Sequence, residues 1–72
     1  MQKNENAIES FDQSIRLNSS FPTTYYNKSF CLCNMGKFND ALDSLDKAIS
    51  LNPNYDKAIV LKNSCLAYIL KT

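Results

Sequence analysis

Three aspartates and three cysteines are the residues of this chain whose types and spacing come nearest to chemistry. Asp40, Asp43 and Asp46 recur every third residue, a spacing that gathers carboxylates toward one side of a helix. The solvent face of an amphipathic helix carries the same pattern. Calcium takes about six to eight oxygens, and this stretch has none of the loop spacing that would supply them. The aspartates therefore read as a solvated face, and no metal is expected. Cys31 and Cys33 stand two apart, so on a helix their thiols point to roughly opposite sides and do not close on one zinc ion. With Cys65 they make an odd number without framework spacing, which points to reduced, mostly buried thiols in a core or groove and away from a disulfide scaffold.

The rest of the catalytic repertoire is thin. The chain has no histidine, no glycine-rich phosphate loop, and no serine or cysteine beside a candidate base, so nucleophilic and acid-base catalysis lack their usual groups. No catalytic residue, no cofactor and no enzymatic activity are expected. The formal net charge is +1, and eight basic residues lie singly between Lys3 and Lys71. That distribution offers no cationic stripe to a phosphate backbone, so nucleic acid is not an expected partner. No apolar run approaches the ~20 residues that span a bilayer, and the polar start Met1-Gln2-Lys3-Asn4-Glu5-Asn6 does not read as a secretory signal. A cytoplasmic location without membrane association is expected. Asn18-Ser19-Ser20 and Asn27-Lys28-Ser29 match the glycosylation pattern but carry no weight in that setting.

The elements that must position any site are helices. Seventy-two residues, 44% hydrophobic and 21% charged, with one glycine and two prolines, fit one small compact helical domain. A chain of this size buries only about 60% of the surface its unfolded form exposes, so stability is expected to be marginal. Phe38, Ala41, Leu42, Leu45, Ala48 and Ile49 recur at three- and four-residue intervals, which predicts an amphipathic helix over 38–51. It begins after Gly36, suited to a left-handed helix exit, and stops before Asn52-Pro53, because proline disfavours helical geometry in the residue before it. Ala7, Ile8, Phe11 and Ile15 repeat the spacing and predict a helix over 4–17, ending in a polar turn at Asn18-Ser19-Ser20. Two further helices are expected near 22–35 and 55–70. The short connections make neighbouring helices antiparallel and the fold all-α. The last helix is apolar almost all round, from Ala58 to Leu70.

Sliding the sequence by 34 residues sets Ala7 on Ala41, Ser10 on Ser44, Asp12 on Asp46, Ile15 on Ile49, Leu17 on Leu51 and Asn18 on Asn52. The match continues with Phe21 on Tyr55, Lys28 on Lys62, Cys31 on Cys65, Leu32 on Leu66 and Lys37 on Lys71. A period of this length marks a helical repeat. Tyr25, Leu32, Gly36, Ala41, Leu45, Ala48 and Pro53 then fall where the tetratricopeptide repeat has its characteristic residues, and the chain resembles that family over nearly its whole length. Lys28 and Ser29 depart from the pattern by standing where a leucine-glycine pair belongs. Ser14 and Ser19 likewise replace an alanine and a proline.

The resemblance implies a single domain over 1–72, built as a short α-solenoid of four helices. Residues 1–21 would hold the second helix of a partial repeat, 22–55 a complete repeat, and 56–72 the first helix of a next repeat or a capping helix. That phase reads as a piece of a longer array, in which neighbouring repeats cover each other's apolar faces. Small residues on a bulky apolar face, Ala41 and Ala48, are expected where two helices approach closely. In this family the first helices of successive repeats line a concave groove for a peptide or partner helix. By position that groove would be lined by Thr23, Tyr26, Asn27 and Phe30, and by Lys57, Val60, Leu61, Ser64 and Tyr68. The implied function is a protein-protein interaction module or scaffold. The alternative is a structural segment that self-associates or caps a longer assembly, with Val60, Leu61, Tyr68, Ile69 and Leu70 as contacts to another copy in a homo-oligomer. Some relatives clamp a terminal carboxylate in the groove. Asn27 and Lys57 occupy two of those positions, but Leu61 replaces the arginine that would bind the carboxylate bidentately.

Overall fold

The computed structural model describes residues 2–71, with side chains described from residue 5 onward. Four helices follow in order: α1 (Gln2–Leu17), α2 (Pro22–Asn34), α3 (Phe38–Leu51) and α4 (Asp56–Lys71). There is no strand among the described residues, so the all-α expectation holds. Boundaries move by one or two residues, and local hydrogen bonds explain two of the shifts. The Met35 N–H donates to the carbonyls of both Cys31 and Leu32, each at 3.1 Å, so the α ladder of α2 tightens before residue 35. Tyr55 caps α4 instead of opening it: its N–H donates to the Asn52 carbonyl at 3.1 Å while its own carbonyl accepts from the Ile59 N–H.

The punctuation between helices follows from residue type. Phe21 is extended at φ −95 and ψ 108, the geometry a residue before proline prefers, and Pro22 opens α2 where its missing N–H costs nothing. Gly36 has φ 77. Its N–H donates to the Cys33 carbonyl at 3.0 Å, and the Lys37 N–H donates to the Leu32 carbonyl at 2.9 Å. This pair of bonds is the Schellman closure, which places the residue past the helix end in left-handed geometry. The other two turns share one device at the 34-residue offset. Asn18 Oδ1 accepts from the Ser20 N–H at 3.0 Å, and Asn52 Oδ1 accepts from the Asn54 N–H at 3.2 Å.

The helices pack in sequence as hairpins. α2 against α3 is the broadest contact, α1 on α2 and α3 on α4 are narrower, and α2 meets α4 over a short stretch. The assembly is a slab of 36 × 32 × 14 Å, little more than one helix thick. Its core consists of Tyr25, Leu32, Ala41, Leu45, Ala48, Ala58 and Cys65. Ala41 and Ala48 are both fully buried, in keeping with small residues at a close approach. Ser29, at the position the repeat reserves for glycine, is also fully buried. Its hydroxyl donates to the Tyr26 carbonyl at 2.6 Å, which satisfies the polar atom within its own helix and keeps the contact small. On α4, Ala58 and Cys65 are buried, Ile59, Leu61 and Ile69 are half-buried, and Val60, Leu66, Ala67, Tyr68 and Leu70 are exposed.

Candidate functional site

The helix periodicity that buries Ala58 and Cys65 turns Lys57, Val60, Leu61 and Ser64 toward another surface of α4, next to α2. There Tyr26, Asp56, Lys57, Val60, Leu61 and Ser64 line a concavity of about 320 Å3. Five of the nine side chains expected to form a groove meet in it, and Asp56 joins them. Thr23, Asn27, Phe30 and Tyr68 are not among its lining residues. Thr23 and Phe30 are exposed and Asn27 is half-buried on α2. Tyr68 is instead stacked on Phe38, with ring centroids 5.2 Å apart and planes 9° from parallel. Tyr26 is held at the concavity by a tilted contact with Tyr55, centroids 5.3 Å apart. The Tyr26 ring thus has a packed edge before any ligand arrives, which lowers the entropy lost on contact.

Asp56 was not legible as a lining residue, because as the first residue of α4 it reads as a favourable charge at a helix N-terminus. A second concavity, of about 310 Å3, lies among α1, α2 and α3 and is lined by Ile8, Asp12, Lys28, Leu32, Asp40, Asp43 and Ser44. Asp40 and Asp43 are exposed side chains on its border. The third aspartate has a partner: Lys62 Nζ lies 2.7 Å from Asp46 Oδ1. The repeat register that aligns Asp12 with Asp46 and Lys28 with Lys62 was the available signal for that pairing. No group of three or more histidine, cysteine or acidic side chains arranged for a metal occurs among the described residues.

The cysteines fall out differently from their sequence alignment. Cys65 is buried, while Cys31 and Cys33 are only half-buried, so burial of the thiols is less complete than expected. Cys65 meets Cys33, with the two Sγ atoms 2.8 Å apart, although the repeat sets it on Cys31. Burial, then the hydrogen bond and the charge of Cys65, push the Cys33 thiol up to about 12.

The comparison with known families bears on the class of protein. The family model of the tetratricopeptide repeat matches residues 22–55. The chain therefore contains a tetratricopeptide repeat, set within four sequentially packed helices. This repeat is generally a module for protein-protein interaction and is typically non-catalytic. No match to a curated protein or to a solved structure reaches significance. Among the described residues no helix is long and apolar enough to cross a membrane.

Proposed function

We propose that this chain is a non-enzymatic, cytoplasmic interaction module that seats an apolar peptide segment or partner helix between α2 and α4. The observation that carries the reading is the concavity lined by Tyr26, Val60 and Leu61, with Asp56, Lys57 and Ser64 as its polar members. Val60 is 64% exposed there, so a ligand has apolar surface to cover, and covering it is favourable at about 25 cal/mol per Å2. Lys57 and Asp56 fix the direction of a bound segment through charge, and Phe30 and Thr23 extend the contact along α2. The missing arginine at Leu61 favours an apolar ligand over a terminal carboxylate.

The test is selection of peptides from a random displayed library, followed by titration calorimetry of those recovered. Val60→Asp is expected to weaken binding at least about tenfold, whereas Leu17→Asp on α1 leaves it unchanged. Failure to enrich any peptide, or equal loss in both variants, overturns the reading.

A second reading is favoured by one observation: Tyr68 is 60% and Leu70 83% exposed on the outer part of α4. Monomers rarely expose contiguous apolar patches beyond a few hundred Å2. In this reading Val60, Leu61, Tyr68, Ile69 and Leu70 meet a second copy, or a helix that continues the array, and no free peptide binds. Sedimentation at micromolar concentration decides it. A dimer that Ile69→Asp converts to monomer supports self-association, and a monomer indifferent to that change rejects it.

A further inference from the structure

The contact between Cys33 and Cys65 joins α2 and α4, which meet over a shorter stretch than the three helix pairs that are consecutive in the chain. Their sulfurs are 2.8 Å apart, about 0.8 Å longer than the ~2.03–2.05 Å of a disulfide bond. Cys33 lies on the last turn of α2 and Cys65 in the second half of α4, 32 positions further along the chain, so α3 and both of its connections sit inside the loop they would close. No third ligand accompanies the pair among the described residues, which leaves thiol chemistry and not metal binding as what two converging sulfurs can do.

We infer that Cys33 and Cys65 are a redox-active pair that a small-molecule disulfide closes into an intramolecular bond, locking α2 to α4. The half-buried Cys33 is the sulfur a reagent reaches. Its thiolate attacks one sulfur of the reagent, forming a mixed disulfide and expelling one thiolate. Cys65, deprotonated, then attacks the Cys33 sulfur and expels the second. Two protein thiols become one disulfide, the reagent disulfide becomes two thiols, and the two protons pass to the leaving sulfurs. Burial pushes the Cys33 thiol up, so its thiolate is scarce and the pair closes slowly. The α2–α4 contact is short, so few packed side chains stand between the two helices where the sulfurs meet. Closure fixes the pair of helices that lines the α2–α4 concavity, yet the bond itself requires no peptide ligand.

Oxidised glutathione at mildly alkaline pH is the probe, read by intact mass, peptide mapping and thermal denaturation. The expected product is a monomer lighter by two hydrogens, mapped to Cys33–Cys65, with Tm raised on the order of 10 °C and restored by dithiothreitol. Cys31→Ser should form it unchanged, and Cys33→Ser should stop at, or short of, a glutathione adduct. Mapping on the unmodified chain decides the matter even if a variant fails to fold. A bond involving Cys31, a disulfide between chains, or glutathione adducts without a Cys33–Cys65 bond overturns the inference.

Discussion

Lys28 Nζ lies 2.7 Å from Asp12 Oδ1, tying α2 back to α1, and one repeat later Lys62 holds Asp46 at the same distance. The two bridges do the same task in successive helix pairs. Each reaches from the first helix of one pair to the helix before it, adding charge attraction across that helix contact. Their side chains are partly exposed, and exposed pairs contribute about 0.2–1 kcal/mol.

The first prediction follows from that exposure. A double-mutant cycle on Asp12→Asn and Lys28→Met should give a coupling of no more than about 1 kcal/mol, falling as salt rises. The equivalent cycle at Asp46 and Lys62 should give a smaller value, because both of its partners are more exposed. Urea denaturation at low and high ionic strength measures both. A larger, salt-insensitive coupling would mean the bridges are shielded from water.

Ala41 and Ala48 give the second prediction. Both are fully buried in the core, and each sits on a face that also carries Leu45, so a leucine there has no room without moving a helix. Ala41→Leu and Ala48→Leu should each lower stability by about 1–3 kcal/mol. Ser29→Leu, in the equally closed position on α2, should fall in the same range, while Ser29→Ala loses only the bond to Tyr26, about 1 kcal/mol or less. Denaturation midpoints that do not move for either alanine variant would contradict the packing.

These residues also show how much of the molecule could be read from its sequence. The periodicity of Phe38 to Ile49 and the 34-residue offset located the four helices and their order, since both are properties of local spacing. The buried alanines were legible for the same reason. The groove was legible only in part. Helical spacing says which residues share a face, but not how far a ring swings, so Tyr68 was expected beside Val60 and is found stacked on Phe38. Cys33 and Cys65 were not paired, because the contact arises from the angle between α2 and α4 and not from the repeat, which aligns Cys65 with Cys31. The ion pairs left their trace in the offset, and only geometry reveals that the aligned aspartate and lysine touch.

The third prediction concerns Gly36. It has φ 77, and a Cβ built on it would meet nothing within 4 Å. Steric crowding by neighbours is therefore absent, and only the intrinsic cost of left-handed backbone remains. Gly36→Ala should destabilise by about 1–2 kcal/mol, and Gly36→Asn by less, because asparagine adopts that geometry more readily. Thermal melts of the two variants check the order. Equal loss in both would point to a contact made by the glycine itself.

The last prediction is a dependence on pH, and its sign follows from Cys33. The thiol is pushed up to about 12, first by burial and then by its hydrogen bond to Cys65 and that neighbour's charge. An unfolded cysteine titrates near ~8.5. A group whose folded value lies above its unfolded one binds its proton more tightly in the native chain, so its contribution to stability is fully present below the unfolded value. As pH rises past about 8.5 the unfolded chain loses the proton first, which lowers its free energy relative to the folded chain. The contribution is lost progressively until the folded thiol also ionises, near 12. Stability should therefore decline between those limits under reducing conditions. Tyrosines and lysines titrate in the same window, so the quantity to measure is the difference between the chain and Cys33→Ala. The variant lacks the thiol and should show a shallower alkaline decline in urea midpoint, with the two curves parallel below pH ~8. Parallel curves throughout the alkaline range would show that Cys33 ionises equally easily folded and unfolded, and that its contact with Cys65 does not hold its proton.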